Sequence, residues 1–110
     1  MSENWIEVCS LDDIVPDTGV CALIEEKQVA LFRTHTGDLF AIDNFDPFSK
    51  ANVLSRGIVG SVGEKLVVAS PIYKQHFCLA TGECLEDENV KLNVYPVKAA
   101  NDKVAVQAGN

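Results

Sequence analysis

No segment of this chain repeats apolar residues at helical spacing for long enough to form a helix of ordinary length. Short runs rich in β-branched and aromatic residues recur instead, each bounded by turn-forming residues. That rhythm limits the possible folds more than any other feature. It predicts an all-β fold, a sandwich or partly open barrel of about nine or ten short strands.

The runs are residues 5–9, 20–24, 28–33, 39–42, 58–62, 65–69, 76–79, 83–85, 94–97 and 103–106. QVALFR and DLFAID flank a Thr-Gly turn and read as a hairpin. Gly63-Glu64, the stretch 80–82 (Ala-Thr-Gly) and the stretch 100–102 (Ala-Asn-Asp) mark further turns. Residues 11–14 are predicted to make one helical turn capped by Ser10. Two stretches, 44–56 and 70–75, break the strand pattern with Asn, Asp, Pro and Ser. On a β scaffold, such loops are where function usually sits.

The 110 residues suit one domain, taken as 1–110, and 47% apolar with 23% charged residues suits a folded core. A net charge of −7 repels phosphate backbones and anionic membranes, and favours docking on a basic patch of another protein. No apolar run approaches the roughly 18 residues of a membrane span. The opening MSENWIEV lacks the basic start of a secretory signal, so a cytoplasmic location is expected. Cys9, Cys21, Cys78 and Cys84 form no CxxC pair, and free thiols are expected in a reducing compartment.

His76 and Cys78 share a strand face, which raises the question of a metal with Cys84. A two-residue turn would pair Leu79 with Cys84, and a three-residue turn would pair Cys78 with Cys84. Ordinary strand positions are the plainer expectation, because no supporting shell is identifiable. His35, beside a turn, is expected to be exposed. Nothing pairs a particular cysteine with a base, so no catalytic residue is expected. The runs Asp12-Asp13 and Glu86-Asp87-Glu88 read as solvated loops, without the spacing of a calcium cage.

The two loops carry the most specific signal. The first reads Asn44-Phe45-Asp46-Pro47-Phe48, followed by Leu54-Ser55-Arg56-Gly57. The second reads Ser70-Pro71-Ile72-Tyr73, followed by Phe77-Cys78-Leu79-Ala80-Thr81-Gly82. Both resemble the cluster loops of Rieske ferredoxin-like domains, where each loop supplies one Cys and one His to a [2Fe–2S] centre. The resemblance places Asp46 and Ser70 at the cysteine positions, and Phe48 and Tyr73 at the histidine positions. It implies a Rieske-like fold with a degenerate tip and no metal site.

The opening W-x-x-V-C, DNFDPFSKANVLSRGIVG and VASPIYKQHFCLATGECLED are similar to the small-subunit family of NADH-dependent nitrite reductases. That resemblance implies a cytoplasmic accessory subunit with no cofactor of its own. Its partner would be a large catalytic subunit carrying FAD, sirohaem and an iron–sulfur cluster, reducing nitrite to ammonium in nitrate assimilation. At least two of Phe45, Phe48 and Tyr73 are then expected to turn inward and fill the vacated cluster volume. A ring facing outward would anchor a partner, with Lys50, Arg56 and Lys74 as a basic rim. The candidate contact set is therefore Phe45, Phe48, Lys50, Arg56, Tyr73 and Lys74. The alternatives are a Rieske-type electron carrier with an atypical [2Fe–2S] site, or a free-standing protein-binding module.

Overall fold

The computed structural model describes residues 5–107. Their strands are β1 (Trp5–Ser10), β2 (Thr18–Ile24), β3 (Lys27–Arg33), β4 (Leu39–Asp43), β5 (Phe45–Asp46), β6 (Ala51–Asn52), β7 (Ile58–Val62), β8 (Lys65–Ala69), β9 (His76–Cys78), β10 (Val94–Tyr95), β11 (Val97–Ala100) and β12 (Lys103–Gln107). Two single turns of 3₁₀ helix, Leu11–Asp13 and Leu54–Arg56, complete the regular structure. The fold is all-β as expected, and its sheets do not close into a barrel. Among the described residues, no helix is long and apolar enough to cross a membrane.

The strands form a central sheet β10-β4-β3-β2, a base sheet β1-β12-β11, a third sheet β7-β8-β9 and the ribbon β5-β6. Every pairing is antiparallel. Successive side chains of a strand point to opposite faces, and β3 uses both. Val29 and Leu31 enter a core with Ile14, Val104 and Val106 of the base side. Ala30 and Phe32 enter a second core with Leu54 of the second 3₁₀ turn and with Val68 and Phe77 of the third sheet. The run VALF is therefore buried without interruption, as a strand covered on both faces must be.

The hairpin of β3 and β4 forms as the Thr-Gly signal predicts, with Arg33 opposite Leu39 and Gly37 at φ +95°. The helical turn after Ser10 is present. Its first residue gains a return bond, because the Ser10 N–H donates to the Asp13 carboxylate at 2.9 Å.

Three expectations need correction. The stretch 44–56 is not all loop, since it holds β5, β6 and the second 3₁₀ turn. The strand expected over 94–97 is cut by Pro96, which cannot donate to a ladder. The chain therefore pairs with β4 before the proline and with β12 after it. Finally, residues 79–82 form a four-residue turn, closed by Gly82 N–H donating to Cys78 O at 2.7 Å. Cys84 therefore pairs with Phe77, and neither anticipated register occurs. With Phe77 opposite Cys84, Cys78 falls on the other face.

Candidate functional site at the loop tip

The two signal-bearing loops meet end to end. Ser70 donates its hydroxyl hydrogen to Asp46 Oδ2 at 2.5 Å, and both side chains are fully buried. Asp46 also accepts from the Phe48 N–H (Oδ1, 2.9 Å) and the Ser49 hydroxyl (Oδ2, 2.9 Å). A buried carboxylate is tolerable only when its oxygens are satisfied in this way. The two positions that the resemblance aligns with cysteines are thus bonded directly to each other.

The loops are also local copies. Asp46-Pro47-Phe48-Ser49-Lys50 and Ser70-Pro71-Ile72-Tyr73-Lys74 each start with a short polar side chain. In each, that side chain accepts the N–H two residues on: Phe48 to Asp46 at 2.9 Å, and Ile72 to Ser70 Oγ at 3.3 Å. Each then closes by a five-residue turn, Lys50 N–H to Asp46 O at 2.7 Å and Lys74 N–H to Ser70 O at 3.1 Å. Both lysines sit in the left-handed region, at φ +58° and +68°. Sequence reasoning missed this duplication, although [DS]-P-x-x-K is visible twice in the chain.

Asn44 anchors the first loop to the central sheet. Its amide donates to Gln28 Oε1 at 3.0 Å and its Oδ1 accepts the Ser55 N–H at 2.7 Å. Its backbone bonds Gln28 and Leu54. Asn44 is thus a buried structural residue of the site, also unanticipated.

Only one of the three loop aromatics turns inward, which corrects the expectation of at least two. Phe48 is half-buried and packs on Phe77, ring centroids 6.2 Å apart. Phe45 and Tyr73 are 44% and 59% exposed. In β5 neighbouring side chains alternate, so burying Asp46 sends Phe45 outward. Tyr73 lies in the turn closed by the Lys74 N–H and Ser70 O and stays exposed. Lys50, Arg56 and Lys74 are exposed. Ile72, absent from the sequence-derived set, joins them at 47% exposure.

The other candidates disperse. His35 is exposed and bonds Asp17 at 3.2 Å. His76 Nδ1 lies 2.6 Å from Glu86 Oε2, and its N–H donates to Glu86 Oε1 at 2.8 Å. The four cysteines are free. Burial pushes the Cys84 thiol up. For Cys78, burial acts in the same sense, but hydrogen bonds from Thr81 and Ala80, together with Lys65, outweigh it and lower the thiol. Among the described residues, no three of His, Cys, Asp and Glu converge on a point that could hold a metal ion.

The donor set of the tip does not fit a two-cysteine, two-histidine cluster. Asp46 spends its oxygens on three internal donors, and Ser70 spends its hydroxyl on Asp46. Phe48 has no donor atom, and Tyr73 points to solvent.

This geometry defines a Rieske-like β domain whose two tip loops are joined by the Asp46–Ser70 bond, and residues 4–107 match the Rieske-like [2Fe–2S] domain family. The chain is 44% identical over 105 residues to the nitrite reductase (NADH) small subunit of Escherichia coli K12, covering 94% of this chain and 97% of that protein. The solution structure of the E. coli protein NirD superposes with a TM-score of 0.91 at 43% identity, covering 99% of this chain and 100% of that one. A nitrite reductase [NAD(P)H] large subunit of Klebsiella oxytoca contains a segment 42% identical over 106 residues, covering 96% of this chain and 11% of that protein. The chain belongs to the Rieske-like family of NADH nitrite reductase small subunits.

Proposed function

We propose that this protein is the accessory small subunit of a cytoplasmic NADH-dependent nitrite reductase acting in nitrate assimilation, and that it works through shape rather than through a redox centre. The FAD, sirohaem and iron–sulfur cluster of that reaction belong to the large subunit. The exposed tip, with Phe45, Lys50, Arg56, Tyr73 and Lys74, meets that subunit, while Phe48 props the first loop from beneath. One observation carries the reading. A chain this similar to nitrite reductase small subunits along its whole described length joins its two cysteine-equivalent positions to each other, Asp46 to Ser70. The large-subunit sequence that contains a copy of this domain supports physical association, since one polypeptide there carries both.

Two measurements test it. Purified protein should contain neither iron nor labile sulfide, and a stoichiometric amount of both with a reducible diiron spectrum would restore the electron-carrier reading. Adding the protein to purified large subunit should raise the rate or the lifetime of NADH-driven nitrite consumption. No change in rate, stability or assembly would remove the accessory role.

A further inference from the structure

The two copied loops end alike: Lys50 and Lys74 each take a left-handed backbone as the residue whose N–H closes the turn. A left-handed backbone is unfavourable at a residue with a side chain, and glycine avoids that cost. Here the same cost recurs at the same place of both turns, Lys50 and Lys74. Neither ammonium forms an ion pair among the described residues. Lysine at both positions, where glycine would fit more easily, places a cation at the same point of each turn.

Charge separates the tip from the body. Residues 44–56 and 70–76 hold Lys50, Arg56 and Lys74 against the single carboxylate of Asp46, a net +2, so the remaining chain carries −9. Asp46 is buried and engaged, so the exposed side chains of these two segments include cations and no carboxylate, with Glu86 beside His76 at their edge. The acidic net charge suggests docking on a basic patch, but the local charge at the tip has the opposite sign. Beside these cations stand Phe45, Ile72 and Tyr73, all exposed. Aromatic groups ringed by cations match the composition of interface centres and rims.

We propose that the tip is a two-pronged clamp: the Asp46–Ser70 bond locks two equivalent turns together so that Lys50 and Lys74 grip a carboxylate-rich patch around an apolar seat on the large catalytic subunit. For the identity of the partner this rests on the functional reading above. It adds the chemistry of the patch and the residues that recognise it. The internal bond makes the clamp preorganised, so little ordering remains to be done on binding. Opposite charges across the contact set the rate of encounter and its sensitivity to salt.

The test measures binding of the full chain to purified large subunit by surface plasmon resonance at about 50 and 300 mM salt, with thermal unfolding of each variant recorded alongside. Wild-type protein binds and loses affinity with salt. The double variant K50E/K74E weakens binding about a hundredfold, and K50R/K74R retains it, because charge is kept. K50G/K74G separates the two roles: its unfolding midpoint rises as strain is released, while its affinity falls about tenfold. Wild-type binding untouched by all three variants overturns the clamp and leaves the accessory role standing. No binding by the wild-type chain overturns both. Self-association of the free chain, lost in K50E/K74E, would assign the tip to a second copy and overturn the clamp as stated.

Discussion

Asp46 is the residue on which the tip depends most. It is a buried acceptor serving two side-chain hydroxyls and one backbone N–H. Replacing it by alanine strands those donors, one of them the fully buried Ser70 hydroxyl. An unpaired buried polar group costs about 1–3 kcal/mol, so D46A should lower stability by about 3 kcal/mol. S70A removes one donor and leaves the carboxylate two, and should cost about 1.5 kcal/mol. Urea midpoints at neutral pH check the order. Equal effects would mean that the Asp46–Ser70 bond carries all of the carboxylate's contribution. Glu86 gives a pH-dependent counterpart. Partial burial works against its ionisation, but hydrogen bonds and charge from His76 outweigh this and hold its carboxyl below the usual carboxylate range. A carboxyl depressed in the folded state adds stability above its unfolded pKa of about 4.3. That contribution disappears as pH falls through the folded value. The stability gap between wild type and E86Q should therefore be full above the unfolded pKa and shrink as pH falls below it. The group is half-exposed, so the gap should stay within about 1 kcal/mol. A gap that persists at pH 3 would mean that Glu86 acts through packing.

At the scale of elements, the turns decide where the strands stop. β2 and β3 are joined by Glu25-Glu26, both left-handed at φ +50° and +71°, with Ile24 opposite Lys27. That is the backbone of a two-residue hairpin turn, for which Asn-Gly is the preferred sequence. E25N/E26G should therefore stabilise the fold by about 1 kcal/mol and raise Tm by about 4 °C. A lower Tm would show that the glutamate side chains contribute more than their backbones cost. The same turn shows where sequence reading stops. The strands were legible because alternation and β-branched residues marked them, and the Thr-Gly turn at 36–37 because glycine supplies positive φ. Glu25-Glu26 carries no such mark; the register of β2 against β3 does the work instead. The turn at 79–82 contains Thr-Gly, but its length follows from the Gly82 N–H to Cys78 O bond and the pairing of Cys78 with Glu83, which the dipeptide alone does not specify. Likewise, the loops were legible as a site, whereas the Asp46–Ser70 bond was not, because it spans 24 residues and no local pattern aims one side chain at the other. The inward turn of Phe48 and the outward turn of Phe45 followed from that bond, and could not be read before it.

For the whole molecule the governing feature is a pair of strands, β3 and β4, shared by two cores. Leu31 of β3 faces the base core and Phe32, its neighbour, faces the core beneath the tip. The base sheet and the third sheet have no strand in common, so β3, with β4 beside it, is a structural link through which loss on one side is felt on the other. If that link is stiff, the two cores unfold together, and damage at the base must loosen the layer that carries Ser70. L31A tests this with a change confined to the base core. Leu31 is almost fully buried, and its truncation should cost about 3 kcal/mol. In a single cooperative unit, hydrogen exchange of the most protected amides falls by the same factor everywhere, here about a hundredfold. Amides of Val68 and Phe77, in the third sheet, should then lose as much protection as those of Val104 and Val106 in β12. Wild-type protection at Val68 and Phe77, with loss confined to β12, would show that the tip layer stands by itself. In that case the preorganisation of the docking face would rest on the local Asp46–Ser70 bond, with no help from the base.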